Sequence, residues 1–223
     1  KMLFIGKISE EGFMIMTDQS KNIAIFAYGN GTNAINILDC AKEELFNSTI
    51  KCLITDKKDA GIIVKINTHP VYKNIPIYTI PFVKKIGESH PVAKARHEVE
   101  IKEILDSHHV NWIALAGYMK ILSAKFLKCY FDESFQKNRV INIHPSLLPK
   151  YPGKDAYEQA FNSGDEVSGV TIHHVDSGID TGPIILQKTF KRKKEDTFED
   201  FKNRGLSLEY QIYREALVSL DWK

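Results

Sequence analysis

Cysteine is scarce in this sequence, and its few copies are not grouped. Cys40, Cys52 and Cys129 form an odd set with no short spacing between them. The sequence therefore predicts neither a disulfide framework nor a zinc site. A reducing compartment fits this usage, so we expect a cytoplasmic protein. The histidines between residues 90 and 109 also lack the spacing of metal ligands, and we expect no metal.

A strong charge of one sign and a long apolar run are missing as well. The formal net charge is +2, which gives no reason to expect a nucleic-acid partner. No apolar run reaches the roughly 18 residues that span a membrane, so no membrane partner is expected either. What remains is a typical globular composition, long enough for one domain with a full core. We expect a monomer or a homodimer.

The stretch from Val140 to Pro149 joins a strand to polar residues at its end. Its β-branched start predicts a buried strand, which ends at Pro145 because proline has no amide hydrogen. Strand side chains alternate, so Asn142 and His144 should project from one face. In open α/β sheets this end borders the ligand crevice. The alternative is an asparagine that caps the turn and a histidine that packs beneath the prolines.

A second polar stretch, Asp176 to Pro183, is a glycine- and proline-containing loop between two strand-like runs. Asp176 is explained by turn formation, because aspartate bonds readily to its own backbone. If the loop folds towards the end of the strand at 140–144, Asp180 meets His144. A neighbouring carboxylate raises the pKa of an imidazole and orients it, which favours acid–base chemistry near neutral pH.

Near the start, Asn22 to Ala27 has the pattern of a buried strand, followed by a glycine-containing turn and a helix to about Phe46. Free amides at such a turn bind phosphate. The turn also satisfies G-x-G-x-x-A, and Asp56 follows the next strand. A dinucleotide site, a monophosphate site and a plain tight turn therefore all stay open. Thr32 and Asn33 add side-chain donors that suit a single phosphate.

The rest of the chain alternates between helical and strand patterns, as in βαβ units. The helix near 91–107 should bury Val99, Ile101, Ile104 and Leu105. Ser123 is expected to cap a short helix. The further predicted elements are helices at 60–68, 123–130, 156–163 and 197–218, strands at 75–80 and 112–116, and a polar connector at 132–139.

The segments NIHPSLLPKYPG (142–153) and GVTIHHVDSGIDTGPIILQ (169–187) together resemble the folate-dependent formyltransferases. The resemblance runs from about Asn22 to about Ala216, and it is strongest to members that formylate glycinamide ribonucleotide in purine synthesis. It implies a Rossmann-like α/β fold, with a mostly parallel central sheet and helices on both faces. It also implies one domain over 22–223, with a phosphate-binding half (22–120) and a catalytic and folate-binding half (121–223).

For glycinamide ribonucleotide, the resemblance implies a phosphate site at Gly31, Thr32 and Asn33, a contact from Met119, and a sugar contact from Glu209. Judged from the residues alone, Met119 could equally pack in the core. Glu209 is then only one of several helix carboxylates.

For the co-substrate 10-formyltetrahydrofolate, the resemblance implies contacts from Leu115, Lys120, Asn142 and Lys94. Lys120 stands where relatives more often have arginine, so it keeps the charge but loses the planar fork. Tyr28 stands where a small residue is usual.

The resemblance also implies catalytic roles for Asn142, His144 and Asp180, with His173 in support. An amine attacks the formyl carbon, and donors from Asn142 and protonated His144 would stabilise the resulting oxyanion. Asp180 would keep His144 protonated and help to remove the proton of the amine. His173 and His174 are consecutive on a strand, so they should face opposite sides. No serine or cysteine lies in a recognisable nucleophile turn, so no covalent intermediate is expected.

Three alternatives share part of this pattern. A methionyl-tRNA formyltransferase would be expected to add a basic RNA-binding domain. A formyltetrahydrofolate hydrolase would be expected to carry a regulatory domain in front. A Rossmann-type nucleotide-binding protein without catalysis would explain residues 29–34 but leave Asn142, His144 and Asp180 without a role.

Residues 1–21 do not fit the domain pattern. Their apolar runs are short and acids follow at Glu10 and Glu11, which argues against a secretion signal. We expect an extension or an expression remnant, with residues 1–15 outside the core. The alternative is an added edge strand or a partner contact.

Overall fold

The computed structural model describes residues 7–8, 14–15, 21–45 and 48–219. The strands are β1 (Lys7–Ile8), β2 (Met14–Ile15), β3 (Lys21–Ala27), β4 (Ser48–Thr55), β5 (Ile77–Thr79), β6 (Trp112–Ala116), β7 (Phe131–Asp132), β8 (Lys137–Asn138), β9 (Val140–His144), β10 (Val167–His174) and β11 (Ile184–Lys191). The helices are α1 (Thr32–Lys42), α2 (Gly61–Thr68), α3 (His90–Ser107), α4 (Ala124–Lys128), α5 (Ala156–Ser163) and α6 (Phe198–Ser219).

Seven strands form the central sheet, in the order β11-β10-β9-β6-β3-β4-β5. The five strands from β9 to β5 pair in parallel, whereas β10 runs antiparallel to both β9 and β11. This confirms the mostly parallel central sheet that the resemblance implies. The carboxyl ends of β3, β6 and β9 therefore lie along one edge, where a ligand crevice is expected.

Helices cover both faces of this sheet, as predicted. Along β3 the side chains alternate between two buried apolar clusters, because successive strand residues point to opposite faces. Ile23 and Ile25 lie in the cluster that includes residues of α1 and α6. Ala24 and Phe26 lie in the cluster that includes residues of α3 and α4. The polar ends of the strands are then the part of the sheet left for ligand binding.

Most predicted elements are confirmed, and β6 and β9 match the predicted residues at both ends. The predicted helix end at Phe46 lies outside the described residues, and α1 ends at Lys42. The connector expected at 132–139 instead contains β8 and the last residue of β7, which pairs antiparallel with it. Asp132 stabilises the turn between them by accepting the amide hydrogen of Ser134 at 2.9 Å.

Helix α3 corrects one prediction about the core. Ile101 and Leu105 are buried as expected, but Val99 is 54% exposed. The polar neighbour Glu98 is buried instead, because its carboxylate accepts the backbone amide of Ser123 at 2.7 Å. Ser123 also caps α4, as predicted, by accepting the amide of Phe126 at 3.1 Å. Hydrogen-bond donors therefore allow a carboxylate to be buried on a helix face for which the hydrophobicity pattern predicts exposure.

Of residues 1–21, only β1, β2 and Lys21 are described. β1 and β2 pair antiparallel in a sheet of their own, so neither is an edge strand of the central sheet. The expectation that residues 1–15 are an extension or an expression remnant falls mostly outside the described residues and stays a prediction. Within the described part of the chain, no helix has the length and apolar character needed to cross a membrane.

Candidate active site

A cavity of about 590 Å³ opens at the carboxyl ends of β6 and β9. Its volume lies in the range of small-molecule sites. The loops after β6, β9 and β10 form most of its wall. The site residues predicted from the sequence that line it are Asn33, Leu115, Met119, Lys120, Asn142, His144, His173, Asp180 and Glu209.

Strand β9 presents Asn142 and His144 to this cavity from one face, as the alternation predicted. The side-chain nitrogen of Asn142 lies 3.3 Å from Nε2 of His173 and 3.5 Å from Oδ1 of Asp180. The second distance is at the outer limit of a hydrogen bond. The amide of Asn142 is therefore not tightly bound to Asp180 and can be offered to a ligand in the cavity.

The loop after β10 brings Asp180 to Asn142 and His144. The residues alone predict this contact only if the loop folds towards the end of the strand. Oδ2 of Asp180 lies 3.1 Å from Nδ1 of His144 and accepts the backbone amide of Gly153 at 2.8 Å. Oδ1 lies 3.4 Å from Nε2 of His173. Burial raises the pKa of Asp180, but the nearby His173 ring, the hydrogen bond from Gly153 and the charge that His144 carries when protonated outweigh it, so the pKa falls below its ordinary value. Asp180 is therefore an ionised carboxylate at neutral pH.

His144 is held at both ring nitrogens. Nε2 donates a hydrogen bond to the backbone carbonyl of Tyr151 at 2.7 Å, while Nδ1 faces Asp180. We expected Asp180 to raise the pKa of His144. Burial instead lowers the pKa below its ordinary value, with Asp180 and the Tyr151 carbonyl opposing the shift only in part. Nδ1 and Oδ2 form a hydrogen bond only when a proton lies between them, so His144 and Asp180 together can hold a proton.

His173 and His174 face opposite sides of β10, as predicted. Nδ1 of His173 donates to the backbone carbonyl of His174 at 2.8 Å, which directs Nε2 towards Asp180 and Asn142. His174 instead bonds to the backbone carbonyl of Asn138 at 2.8 Å and lies near the Trp112 ring. His173 thus belongs to the cluster at the cavity, and His174 does not.

The turn before α1 places only one of its three predicted phosphate-binding residues at the cavity. Gly31 has a φ of 68°, in the left-handed region that favours glycine, and precedes the first residue of α1. Thr32 begins the helix, and neither residue lines the cavity. Asn33 does line it, and its amide nitrogen donates to Oε2 of Glu209 at 2.6 Å.

Glu209 belongs to α6 and is 6% exposed. The hydroxyl of Tyr157 donates to its Oε1 at 2.5 Å. Burial raises the pKa of Glu209, and the hydrogen bonds from Tyr157 and Asn33 counter this only in part. Nothing in the sequence pointed to Tyr157, because a tyrosine in a short helix has no distinguishing pattern.

Lys120 also lines the cavity, and its ammonium lies 3.3 Å from Oδ2 of Asp56. Asp56 is the acid that made a dinucleotide site plausible, and here it pairs with Lys120. Met119 is 60% exposed, so the alternative that it packs in the core is wrong. Lys94 lies on α3 and is not among the residues that line the cavity.

The three cysteines are unpaired. In the described residues, no group of three or more histidine, cysteine, aspartate or glutamate side chains is placed to hold a metal ion. The chemistry that the cavity wall offers is an amide donor, an ionised carboxylate and two histidines within hydrogen-bonding distance. Such a group can stabilise an oxyanion and accept a proton.

The sequence is similar to known formyl transferases. Residues 21–217 match the sequence profile of the formyl transferase family. A phosphoribosylglycinamide formyltransferase of Bacillus subtilis is 40% identical, over 90% of this chain and 94% of its own. One from Haemophilus influenzae is 35% identical, over 86% and 84%. The crystal structure of a phosphoribosylglycinamide formyltransferase from Bacillus halodurans superimposes with a TM-score of 0.78 at 36% identity, covering 90% of this chain and 95% of that one.

Proposed function

The chain belongs to the formyl transferase family, and we propose that it transfers the formyl group of 10-formyltetrahydrofolate to the amine of glycinamide ribonucleotide. The products are formylglycinamide ribonucleotide and tetrahydrofolate. The observation that carries the proposal is the convergence of Asn142, His144 and Asp180 on one cavity, in a chain closely similar to enzymes named for this substrate.

The chemistry begins with attack of the amine nitrogen on the formyl carbon, which gives a tetrahedral intermediate with negative charge on oxygen. Asn142 lines the cavity with an amide nitrogen that no close hydrogen bond ties to Asp180, and it donates to this oxygen. One donor of this kind stabilises such a transition state by about 3–4 kcal/mol. Collapse of the intermediate breaks the bond to N10 of the folate, which takes up a proton.

Asp180 accepts the proton that the amine loses, directly or through a water molecule. This role is supported by its lowered pKa, which keeps the carboxylate ionised at neutral pH. The amide of Gly153 orients Oδ2 by a hydrogen bond, and Nε2 of His173 lies 3.4 Å from Oδ1. The proton then reaches the leaving nitrogen by way of Asp180, so that no net charge is left on the protein.

The part assigned to His144 differs from the one expected from the sequence. With Nε2 bonded to Tyr151 and Nδ1 facing Asp180, the ring has no hydrogen left to donate to a substrate. A direct donor role requires Nε2 to leave the Tyr151 carbonyl. We therefore assign His144 to the positioning of Asp180 and to sharing its proton.

The two substrates occupy different parts of the cavity in this proposal. The ribonucleotide places its sugar near Glu209 and extends its phosphate to the turn of Gly31, Thr32 and Asn33, of which only Asn33 lines the cavity. The folate lies along Leu115 and Lys120, and the reacting atoms meet at Asn142. The fact that Asn33 and Glu209 both line the cavity on the side of α1 and α6 supports this arrangement.

The test is an assay in which the purified protein receives both substrates and tetrahydrofolate release is followed by absorbance. We expect release that depends on glycinamide ribonucleotide, with formylglycinamide ribonucleotide detected by mass spectrometry. Release without that amine would point to a hydrolase, and no release with either amine or water would overturn the proposal. Light scattering of the same sample tests the monomer or homodimer that we expect. The proposal requires no nucleic acid and no membrane, and the three unpaired cysteines support a cytoplasmic setting.

A further inference from the structure

Tyr157 links helix α5 to the acid on helix α6 that faces the cavity. Its hydroxyl lies 2.5 Å from Oε1 of Glu209. Its ring packs edge-on against Phe201, another residue of α6. Burial and the neighbouring charge of Glu209 raise the pKa of Tyr157, so the phenol keeps its hydrogen and remains a donor.

Gly205 makes room for this tyrosine. A Cβ placed on Gly205 would lie 2.3 Å from Cε1 of Tyr157 and 2.6 Å from its hydroxyl oxygen, closer than any real Cβ contact. Glycine inside a helix costs about 0.5–1 kcal/mol relative to alanine. Gly205 lies inside the 22-residue helix α6 and is buried. The notch at Gly205 is therefore what lets the ring approach Glu209.

Both oxygens of Glu209 are fixed by neutral donors, one on each side. Oε1 accepts from Tyr157, and Oε2 accepts from Asn33 at 2.6 Å. An ionised carboxylate can accept about four hydrogen bonds, so each oxygen keeps the capacity for another. Because Glu209 lines the cavity, that capacity is available to a hydroxyl group of a ligand.

We propose that Tyr157 is a positioning residue, which orients the carboxylate of Glu209 to accept a hydrogen bond from a sugar hydroxyl of the ribonucleotide. The inference rests on the proposed function. Tyr157 itself does not line the cavity and acts only through Glu209. The ring fixes the position of the hydroxyl, the hydroxyl fixes the plane of the carboxylate, and Asn33 fixes its other oxygen.

The test is the variant Tyr157→Phe, which keeps the ring in its notch and removes only the hydroxyl. We expect KM for glycinamide ribonucleotide to rise roughly 5- to 20-fold, the loss typical of one hydrogen bond that orients a charged group, with kcat within about twofold. KM for the folate should not change. The matched control is Tyr210→Phe, which removes a phenol hydroxyl from the exposed residue next to Glu209 on the same helix.

Substrate analogues separate orientation of Glu209 from a general loss of packing. Analogues that lack the 2′- or the 3′-hydroxyl are compared with the parent ribonucleotide. The analogue that lacks the hydroxyl bound by Glu209 should have the same KM with Tyr157→Phe as with the unaltered protein. If Tyr157→Phe raises KM equally for both analogues, the hydroxyl of Tyr157 supports the fold and the inference is overturned.

Glu209→Gln identifies which statement fails if the result is negative. If Glu209→Gln raises KM for the ribonucleotide and Tyr157→Phe does not, the positioning role is wrong and the function stands. If neither variant changes KM, Glu209 does not contact the substrate and the inference falls with that contact. If the unaltered protein transfers no formyl group, the proposed function itself is wrong. Thermal unfolding of each variant confirms that the folded protein is assayed.

Discussion

Two carboxylates line the same cavity, and they are held in different ways. Asp180 faces two imidazoles and a backbone amide, and its pKa lies below the ordinary value. Glu209 faces a phenol and a side-chain amide, both neutral, and burial moves its pKa above the ordinary value. Histidine partners and a backbone donor therefore keep the first carboxylate ionised, whereas neutral partners leave the second prone to protonation.

The difference matches what each residue is proposed to do. A proton acceptor in the reaction has to be ionised at the working pH, and Asp180 meets this condition. A group that binds a hydroxyl needs a fixed direction more than it needs a low pKa, and Glu209 obtains that direction from Tyr157 and Asn33. One cavity thus contains a site of chemistry at Asp180 and a site of binding at Glu209, and each can be tested separately.

The largest effect is expected from Asp180→Asn. The amide cannot accept a proton, so kcat should fall by about 10²- to 10⁴-fold, while KM for the ribonucleotide changes little. Asp176→Asn is the matched control, because Asp176 is a carboxylate of the same loop that also lines the cavity but accepts hydrogen bonds from Gly178 and Thr181 within its own turn. Steady-state kinetics measure both variants. A kcat for Asp180→Asn near that of the control would remove the assignment of the proton acceptor.

Gly205→Ala tests whether packing holds the Glu209 end. The new methyl group would overlap the ring of Tyr157, and overpacking of this kind costs about 1–3 kcal/mol. We expect the free energy of unfolding, measured in urea, to fall by an amount in that range. Ser207→Ala on the exposed side of α6 should change it by less than about 0.5 kcal/mol. Equal stability of the two variants would show that the notch is not required.

Acidification should affect Glu209 before it affects Asp180. Because the pKa of Glu209 is raised, it gains a proton first, and KM for the ribonucleotide should rise as the pH falls. Because the pKa of Asp180 is lowered, kcat should decline only at a lower pH. Kinetic constants measured across the acid range check this order. In Glu209→Gln the part of this KM increase that is due to Glu209 should disappear, so that only the titration of the substrate contributes. An increase as large as in the unaltered protein would contradict the assignment.

The smallest effect concerns the titration of His144. Nuclear magnetic resonance of the ring should give a pKa below the ordinary 6.5, because burial disfavours the charged form. In Asp180→Asn the pKa should fall further, since the carboxylate that favours the imidazolium is gone. A rise in that variant would mean that Asp180 does not stabilise the charge on His144.

The sequence was most informative where the signal is local. The β-branched run before Pro145 and the strand at Trp112–Ala116 were located to the residue, because strand ends follow from chain chemistry. The opposite faces of His173 and His174 follow from strand geometry alone. The residues alone predict contact between Asp180 and His144 only if the loop folds back. The resemblance of two distant segments to one family is what implies that they meet.

Features that depend on tertiary contacts were missed. The lowered pKa of His144 reflects how deeply the ring is buried, which a neighbouring acid in the sequence does not reveal. The pairing of Lys120 with Asp56 joins residues from two different loops. Tyr157 could have been suspected only by relating it to Gly205, a mid-helix glycine with no conformational need. The roles of all these residues in substrate binding and catalysis stay predictions.

The segment from Tyr151 to Gly153 holds the reactive pair with main-chain atoms only, a carbonyl for His144 and an amide for Asp180. Exchange of a side chain leaves such atoms in place, so a substitution here disturbs the pair only where it changes the backbone conformation. Tyr151 and Gly153 have φ values of 53° and 83°, in the left-handed region, so a residue that disfavours this region should weaken these contacts. Part of the machinery is thus encoded in the course of the chain and not in the identity of its residues.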